Sequence, residues 1–324
     1  MTIKSKNKKN FKPVKKQIDA IAKPKIIVIV GPNASGKSDL AIKIAKEFNG
    51  EIISADSRQV YKGMDIGTGK VPKDQSQNKN SYFYCGIRHY LLDVCSPQKI
   101  FTVIEYQKLA QKAIKNILKQ NKLPIICGGT GFYIDATIYN YKFPPVKPNK
   151  ALRKKLEQLS KEELLEKLKK LDPHYAQKID IYNKRKLIRA IEIATALKKP
   201  IPPLNKDSLY DVLKIGVWRK PEELKKRIEK RLLKRLDEGM IEEIKNLHQK
   251  GISYQKLYNF GLEYRYVSLY LQNKITYEKM IEELKSKIWQ YARRQKTWFK
   301  KDKEIHWIST INEAKKLVKD FLKN

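Results

Sequence analysis

The uninterrupted aliphatic run Ile26-Ile27-Val28-Ile29-Val30 predicts a strand buried on both faces, and the helical spacing over residues 38–48 predicts a helix behind it. Shorter apolar runs at residues 51–54, 90–94, 124–127 and 213–218 read as further strands. Residues 102–120 read as a helix opened by a capping box, Thr102 to Glu105. Strands alternating with helices imply an α/β fold on a parallel sheet. Between residues 141 and 207 the pattern turns helical throughout. Pro144, Pro145 and Pro148 mark a hinge, and Leu152, Leu156 and Leu159 recur at helical spacing. A second capping box, Ser160 to Glu163, precedes Leu164, Leu168 and Leu171, and another helix spans residues 184–197. Pro200, Pro202 and Pro203 mark the exit. One helix is then expected from Pro221 to about Gln249, a longer one over about residues 276–301, and a strand at residues 304–309. The expected organisation is a basic tail (1–24), the first part of the core (25–140), a helical insertion (141–207) and the second part of the core (208–324), without internal repeats.

The charge balance adds a partner class. Seventy Lys plus Arg against 34 Asp plus Glu give +36, a field that draws polyanions. Only 12 of the 70 are Arg, and surface Lys is tolerated nearly anywhere, so the arginines are the better guide to binding. No stretch approaches the roughly 20 apolar residues of a membrane span, and the basic start lacks the apolar core of a signal peptide. A cytoplasmic protein without membrane partners is therefore expected. Cys85, Cys95 and Cys127 form no even framework and, with the histidines, no zinc spacing.

The chemistry begins at Gly31-Pro32-Asn33-Ala34-Ser35-Gly36-Lys37-Ser38, which fits G-x-x-x-x-G-K-[ST] between a buried strand and a helix. Backbone N–H groups curl around an anion there and the helix N-terminus adds positive dipole. Lys37 adds a charge, and the Ser38 hydroxyl suits Mg²⁺. A di- or triphosphate ligand follows, but the loop alone names no reaction. A kinase or an RNA-stimulated NTPase shares it, and Asp93 is either the metal-holding Asp of such an enzyme or a turn residue. Beyond the second strand, Asp56 of the segment Ile53-Ser54-Ala55-Asp56-Ser57-Arg58-Gln59 stands at the carboxyl edge of the sheet, where ligands lie.

This segment, continued through Val60-Tyr61-Lys62-Gly63-Met64-Asp65-Ile66-Gly67-Thr68, resembles the signature of the tRNA dimethylallyltransferase (tRNA isopentenyltransferase) family. Gly128-Gly129-Thr130-Gly131-Phe132-Tyr133-Ile134 is similar to its second glycine motif, and residues 183–192 to its insertion-domain helix. The run 227–231 matches its paired arginines, and residues 261–265 and 290–299 complete a likeness spanning about 25–309. Asn33 stands where Thr is usual and Gly69 where Ala is common, while Gly261-Leu262-Glu263-Tyr264 replaces a shorter form. No zinc-finger pattern is present.

The resemblance implies a P-loop NTPase-like sheet with an inserted helical domain. It also implies transfer of a dimethylallyl group from dimethylallyl diphosphate to the exocyclic amine of the adenosine 3′ of the anticodon. Asp56 would take the proton of the attacking amine, Arg231 would reach the diphosphate, and Thr130 would stand where RNA enters, with Mg²⁺ at Ser38. By the same implication the anticodon stem-loop of tRNA meets Asp56, Ser57, Arg58, Gln59, Thr130 and Arg265, then Arg153, Arg185 and Arg189 of the insertion and Arg293 and Arg294 of the last helix. A monomer is expected. From residues alone, Arg227, Arg231 and Arg235 could equally be a solvated ion-pairing face, and Ile281, Leu284, Ile288, Tyr291 and Trp298 read as the core stripe of the last helix.

Overall fold

The computed structural model describes residues 23–75 and 81–324. Nearly all of the expected 1–24 tail lies outside the described residues. In chain order, β1 (Lys25–Val30), α1 (Lys37–Glu47) and β2 (Gly50–Ser54) are followed by the hairpin of β3 (Tyr82–Tyr84) and β4 (Ile87–Tyr90). Then come α2 (Val103–Lys119), β5 (Leu123–Gly128) and α3 (Gly131–Ile138). The helices α4 (Lys150–Glu157), α5 (Lys161–Leu171), α6 (Pro173–Lys178) and α7 (Lys184–Leu197) precede β6 (Asp211–Val217). The chain closes with α8 (Pro221–Asp237), α9 (Met240–Gln249), α10 (Tyr254–Phe260), α11 (Leu262–Leu271), α12 (Tyr277–Phe299), β7 (Ile305–Ile308) and α13 (Ile311–Lys323).

The sheet has seven strands in the order β3-β4-β2-β5-β1-β6-β7, parallel throughout except for the β3/β4 pair. β1 and β5 are buried nearly end to end because helices cover both faces. One apolar cluster joins α2 and α3 to one face, and another joins α1 and α13 to the other. A third lies beneath α8–α12, and a fourth, built on Leu156, Leu164, Leu168, Leu187 and Ile191, holds α4–α7 together. Both capping boxes form as read.

Three expectations need correction. The strand placed at 90–94 ends at Tyr90, because Leu91 (φ 64°) and Asp93 (φ 56°) adopt left-handed backbone that turns the chain. The single helix over 221–249 is two, α8 and α9, separated where Gly239 takes φ 97°. The buried stripe of α12 runs through Met280, Leu284, Ile288, Ala292, Gln295 and Phe299, while Tyr291 and Trp298 are 37% and 45% exposed.

Candidate active site

The sheet sets the site. β1, β5 and β2 lie side by side, so the turns leaving their carboxyl ends, 31–36, 128–131 and 55–59, meet at one edge. Pairing continues past the strands. The N–H of Ala55 donates to Cys127 O at 2.8 Å and that of Thr130 to Ala55 O at 3.1 Å. A Cβ on Gly128 would stand 2.2 Å from Ala55 O, so the approach requires glycine. Asp56 and Thr130 are thereby held side by side, and Thr130 Oγ1 accepts the N–H of Ser57 at 3.2 Å. Asp56 Oδ1 accepts the N–H groups of Arg58 (2.8 Å) and Gln59 (3.3 Å). Gln59 in turn donates Nε2 to Thr68 O and Gly69 O, both at 3.3 Å.

In the phosphate loop Ala34 (φ 62°) and Gly36 (φ 95°) curl the backbone, and no side chain caps the N-terminus of α1. Lys37 Nζ donates to Pro32 O at 3.3 Å. Burial lowers the Lys37 pKa; Cys127 and Asp56 oppose that shift, and Arg231 adds to it. Cys127 itself is pushed up to about 11, chiefly by burial, and is an inert thiol. Three arginines support the loops from β6 and α8. Arg219 Nε donates to Ser35 O at 3.2 Å, Arg227 Nε to Ala34 O at 2.8 Å, and Arg231 Nη2 to Gly69 O at 2.8 Å. Arg235 is buried, donating Nη1 to Gly67 O at 3.0 Å and Nη2 to Glu263 at 2.9 Å. The face made by Arg227, Arg231 and Arg235 therefore reaches the loops while Arg227 and Arg231 stay exposed, and only Arg235 is withdrawn from solvent.

Arg231 keeps an open surface yet is crowded by protein, because it faces a cavity; its pKa is lowered by burial first and by Arg235 second. Gly69 takes φ 61°, and a Cβ there would stand 2.1 Å from Nη2 at the movable end of Arg231. Two cavities meet here. One, about 530 Å³, is lined by Asn33, Asp56, Ser57, Arg58, Gln59, Tyr291 and Arg294, and reaches Arg185 of α7 and Arg265 of α11. The other, about 900 Å³, opens between α1 and α8. Both contain Ala34, Lys37, Ser38, Arg231 and Arg235.

The remaining predicted residues separate. Arg153 and Arg189 grip Glu192, which is 1% exposed: Arg153 Nε and Nη2 donate at 2.9 and 2.8 Å, and Arg189 Nη1 adds a short contact. Arg189 Nη2 also donates to Val146 O at 2.8 Å. Burial would raise Glu192, but Arg153, the Asn149 N–H and Arg189 hold its carboxyl down at about 2. Arg293 lines a different cavity from Arg294. Asp93 sits in a turn with φ 56° and pairs with Lys70 at 2.5 Å, at the wall of the cavity that also contains Lys37 and Ser38.

Sequence reasoning passed over the supports. Buried Gln295 of α12 accepts the Asn33 N–H at 2.9 Å and donates to Gly129 O at 3.1 Å, tying the two glycine loops together. The Glu243 carboxylate accepts the N–H groups of Asp65, Ile66 and Gly67 at 2.7, 2.6 and 3.0 Å and the Tyr264 hydroxyl at 2.7 Å. Gln295 lies inside a motif quoted above; Glu243 carries no sequence signal beyond its helix.

The family model described as IPP transferase matches residues 59–302. A tRNA dimethylallyltransferase from Acetivibrio thermocellus is 40% identical over 91% of this chain and 95% of its own length; another, from Anoxybacillus flavithermus, is 40% identical over 90% and 92%. Among solved structures, the tRNA isopentenylpyrophosphate transferase from Bacillus halodurans aligns with a TM-score of 0.68 at 33% identity, covering 93% of this chain and 97% of that one. A eukaryotic dimethylallyltransferase acting on tRNA gives 0.70 at 27% identity, covering 88% and 74%. With loop, carboxylate and arginines arranged as described and the match running nearly the whole length, the chain belongs to the IPP transferase family, that of the tRNA dimethylallyltransferases.

Proposed function

We propose that this protein transfers the dimethylallyl group of dimethylallyl diphosphate to the exocyclic amine of the adenosine 3′ of the anticodon in tRNA, releasing diphosphate. One observation carries the reading. The carboxylate of Asp56 and the ammonium of Lys37 line a single cavity, and at Lys37, Ser38 and Arg231 that cavity joins a second one, so an anion and a base can approach from different sides. The bond from the allylic carbon to the diphosphate oxygen breaks as the bond to the amine nitrogen forms, and the amine proton passes to Asp56. Lys37, Arg231 and the loop N–H groups face the charge that grows on the leaving group. Tyr291, whose pKa burial raises to about 12, remains a neutral donor and an apolar wall beside the base.

An adenosine amine is out of reach while its base is stacked, so the nucleotide must be extruded into the cavity. Ser57, Arg58, Gln59, Arg185, Arg265 and Arg294 line that cavity, and Thr130 holds the Ser57 N–H beside it. We read residues 141–207 as a unit clasping the anticodon stem, with Arg185 as its reaching side chain and Arg153 and Arg189 as its internal brace. Were Mg²⁺ bound, the Ser38 hydroxyl would be its protein ligand. Among the described residues no cluster of three His, Cys, Asp or Glu stands ready for a metal, and Mg²⁺ commonly takes substrate phosphate and water as its remaining ligands. When bound it would neutralise diphosphate charge. No described helix is long and apolar enough to cross a membrane. We place the reaction in the cytoplasm, one chain to one RNA. No observation favours a kinase or a bare NTPase.

The test is incubation with labelled dimethylallyl diphosphate, Mg²⁺ and transcribed tRNA. Label in tRNA supports the reading, and absence of label alongside ATP consumption refutes it. Asp56→Asn should retain diphosphate and tRNA binding while turnover falls by roughly 10²–10⁴-fold, the range of a general base; unchanged turnover removes Asp56 from the mechanism.

A further inference from the structure

The side chain of Lys70 has no exposed surface, although the residue stands beside the second cavity. Its Nζ donates to Tyr61 O at 3.0 Å and to Oδ1 of Asp65 and Oδ1 of Asp93, each at 2.5 Å, so all three N–H bonds are used. The two carboxylates are 56% and 33% exposed. One buried cation thus draws together two anions that water could otherwise satisfy. Taking an ammonium out of water is costly, and a methionine of similar length would fill the same space without that cost. What the lysine secures is geometry rather than stability.

The geometry is that of a row of carbonyls. Residues 65–70 form a tight turn, in which the Gly69 N–H donates to Ile66 O and the Lys70 N–H to Asp65 O, each at 2.9 Å. On one side of the turn the Glu243 carboxylate takes the N–H groups of Asp65, Ile66 and Gly67. The carbonyls of Gly67, Thr68 and Gly69 instead meet the side chains of the site. Gly67 O accepts Arg235 Nη1 at 3.0 Å, Thr68 O and Gly69 O accept Gln59 Nε2 at 3.3 Å, and Gly69 O also accepts Arg231 Nη2 at 2.8 Å. Asp93 belongs to the other end of the clamp, because its own N–H donates to Gln59 O at 3.3 Å and that of Val94 to Val60 O at 2.9 Å. Lys70 therefore follows directly the carbonyl that seats Arg231, and its ammonium is bonded to the segment that carries Gln59.

We propose that Lys70 is a positioning residue for the diphosphate grip: by clamping Asp65, Asp93 and Tyr61 O it fixes the Gly69 carbonyl that aims Arg231 into the cavity shared with Lys37 and Ser38. The inference rests on the reading above that places the diphosphate at Arg231. A long, exposed guanidinium has many rotamers, and a fixed acceptor at its far end selects among them before the anion arrives. Without the clamp the carbonyl moves with its turn, and the cost of ordering Arg231 falls on the binding step. Glu243 cannot replace Lys70 here, since its backbone contacts stop at Gly67.

The test measures the affinity of the full-length protein for inorganic diphosphate with Mg²⁺ by calorimetry, a readout that needs no turnover. Lys70→Met/Asp93→Asn removes one cation and one anion, so the charge of the cavity wall is kept while the clamp is lost. Diphosphate affinity should fall roughly tenfold. In an Arg231→Gln background the same pair should change it by less than about twofold, because the group it positions is already gone. Asp65→Ala leaves Lys70 neutralised by Asp93 and decides alone should the double variant not fold. It deletes an anion from the cavity wall, so charge by itself would tighten diphosphate binding, whereas a loosened clamp should weaken it about threefold. Wild-type affinity in the double variant, tighter binding by Asp65→Ala, or the full loss repeated in the Arg231→Gln background would each overturn the positioning role. The two readings fail separately. Undiminished diphosphate affinity in Arg231→Gln alone removes the diphosphate from that seat, and a weakened Arg231→Gln beside an unaffected Lys70 variant removes only the clamp.

Discussion

Gln295 is the connection whose loss should be felt furthest from where it occurs. It is 5% exposed on α12, and its amide is the only described link running directly from the Asn33 N–H, at 2.9 Å, to Gly129 O, at 3.1 Å. Gln295→Leu keeps the volume and removes both hydrogen bonds, leaving a donor and an acceptor without partners. Each orphaned group costs about 1–3 kcal/mol when buried. Asn33 is only half-buried and can turn to water, so the expected total is roughly 2–4 kcal/mol. Part of it should appear as lowered unfolding free energy in urea. The rest should appear as a looser phosphate loop, seen as a raised KM for the diphosphate donor with kcat less affected, because the residue touches no reacting atom. A loss below about 1 kcal/mol together with an unchanged donor KM would show that the two loops hold their shape without this brace, and the account of how they are joined would be wrong.

Arg231→Gln removes a charged hydrogen-bond partner of about 1.5–3 kcal/mol and should raise the donor KM by roughly 10- to 100-fold with RNA affinity preserved; a normal donor KM would place the diphosphate elsewhere. Glu192→Gln should destabilise the protein at neutral pH by roughly 3 kcal/mol, since a carboxyl held near 2 instead of 4.5 contributes stability above pH 4.5 that is lost as pH falls toward 2. The gap between wild type and variant should therefore close in acid, and a pH-independent gap would contradict the pairing with Arg153 and Arg189. Asp135 has the opposite sign. Burial raises it to about 6, with Asp302 adding and Lys214 and Lys206 opposing, so its charged form costs stability that is absent below pH 3.8 and fully present above 6. Asp135→Asn should then raise the thermal midpoint at pH 7.5 and not at pH 4; equal midpoints at pH 7.5 would remove the buried charge from the account.

The strand, loop and helix of residues 25–47 were legible because each level of the chain agrees there: a doubly buried β-branched run, a glycine turn and an amphipathic stretch. Capping boxes at Thr102 and Ser160 were equally plain, because their hydrogen bonds are local. Motif spacing and family likeness brought Asp56, Thr130 and Arg231 into view. The misreadings were of another kind. Tyr291 and Trp298 obey the apolar rhythm of α12, yet Gln295 takes an inward place among that helix's buried positions because two loops distant in sequence need its amide.

Periodicity and loop chemistry depend on neighbours a few residues away, so the chain alone determined its α/β class, its phosphate-binding turn and the polyanionic character of its partners. Which arginines are free to meet a ligand was settled only in three dimensions. Arg153 and Arg189 are occupied by Glu192, Arg185 lines the reaction cavity, and Arg293 and Arg294, adjacent in the chain, face separate cavities across one helix. A guanidinium is committed or free according to the carboxylates and carbonyls that folding brings beside it, and apart from the local pair of Arg189 with Glu192 those named here lie tens to hundreds of residues away along the chain.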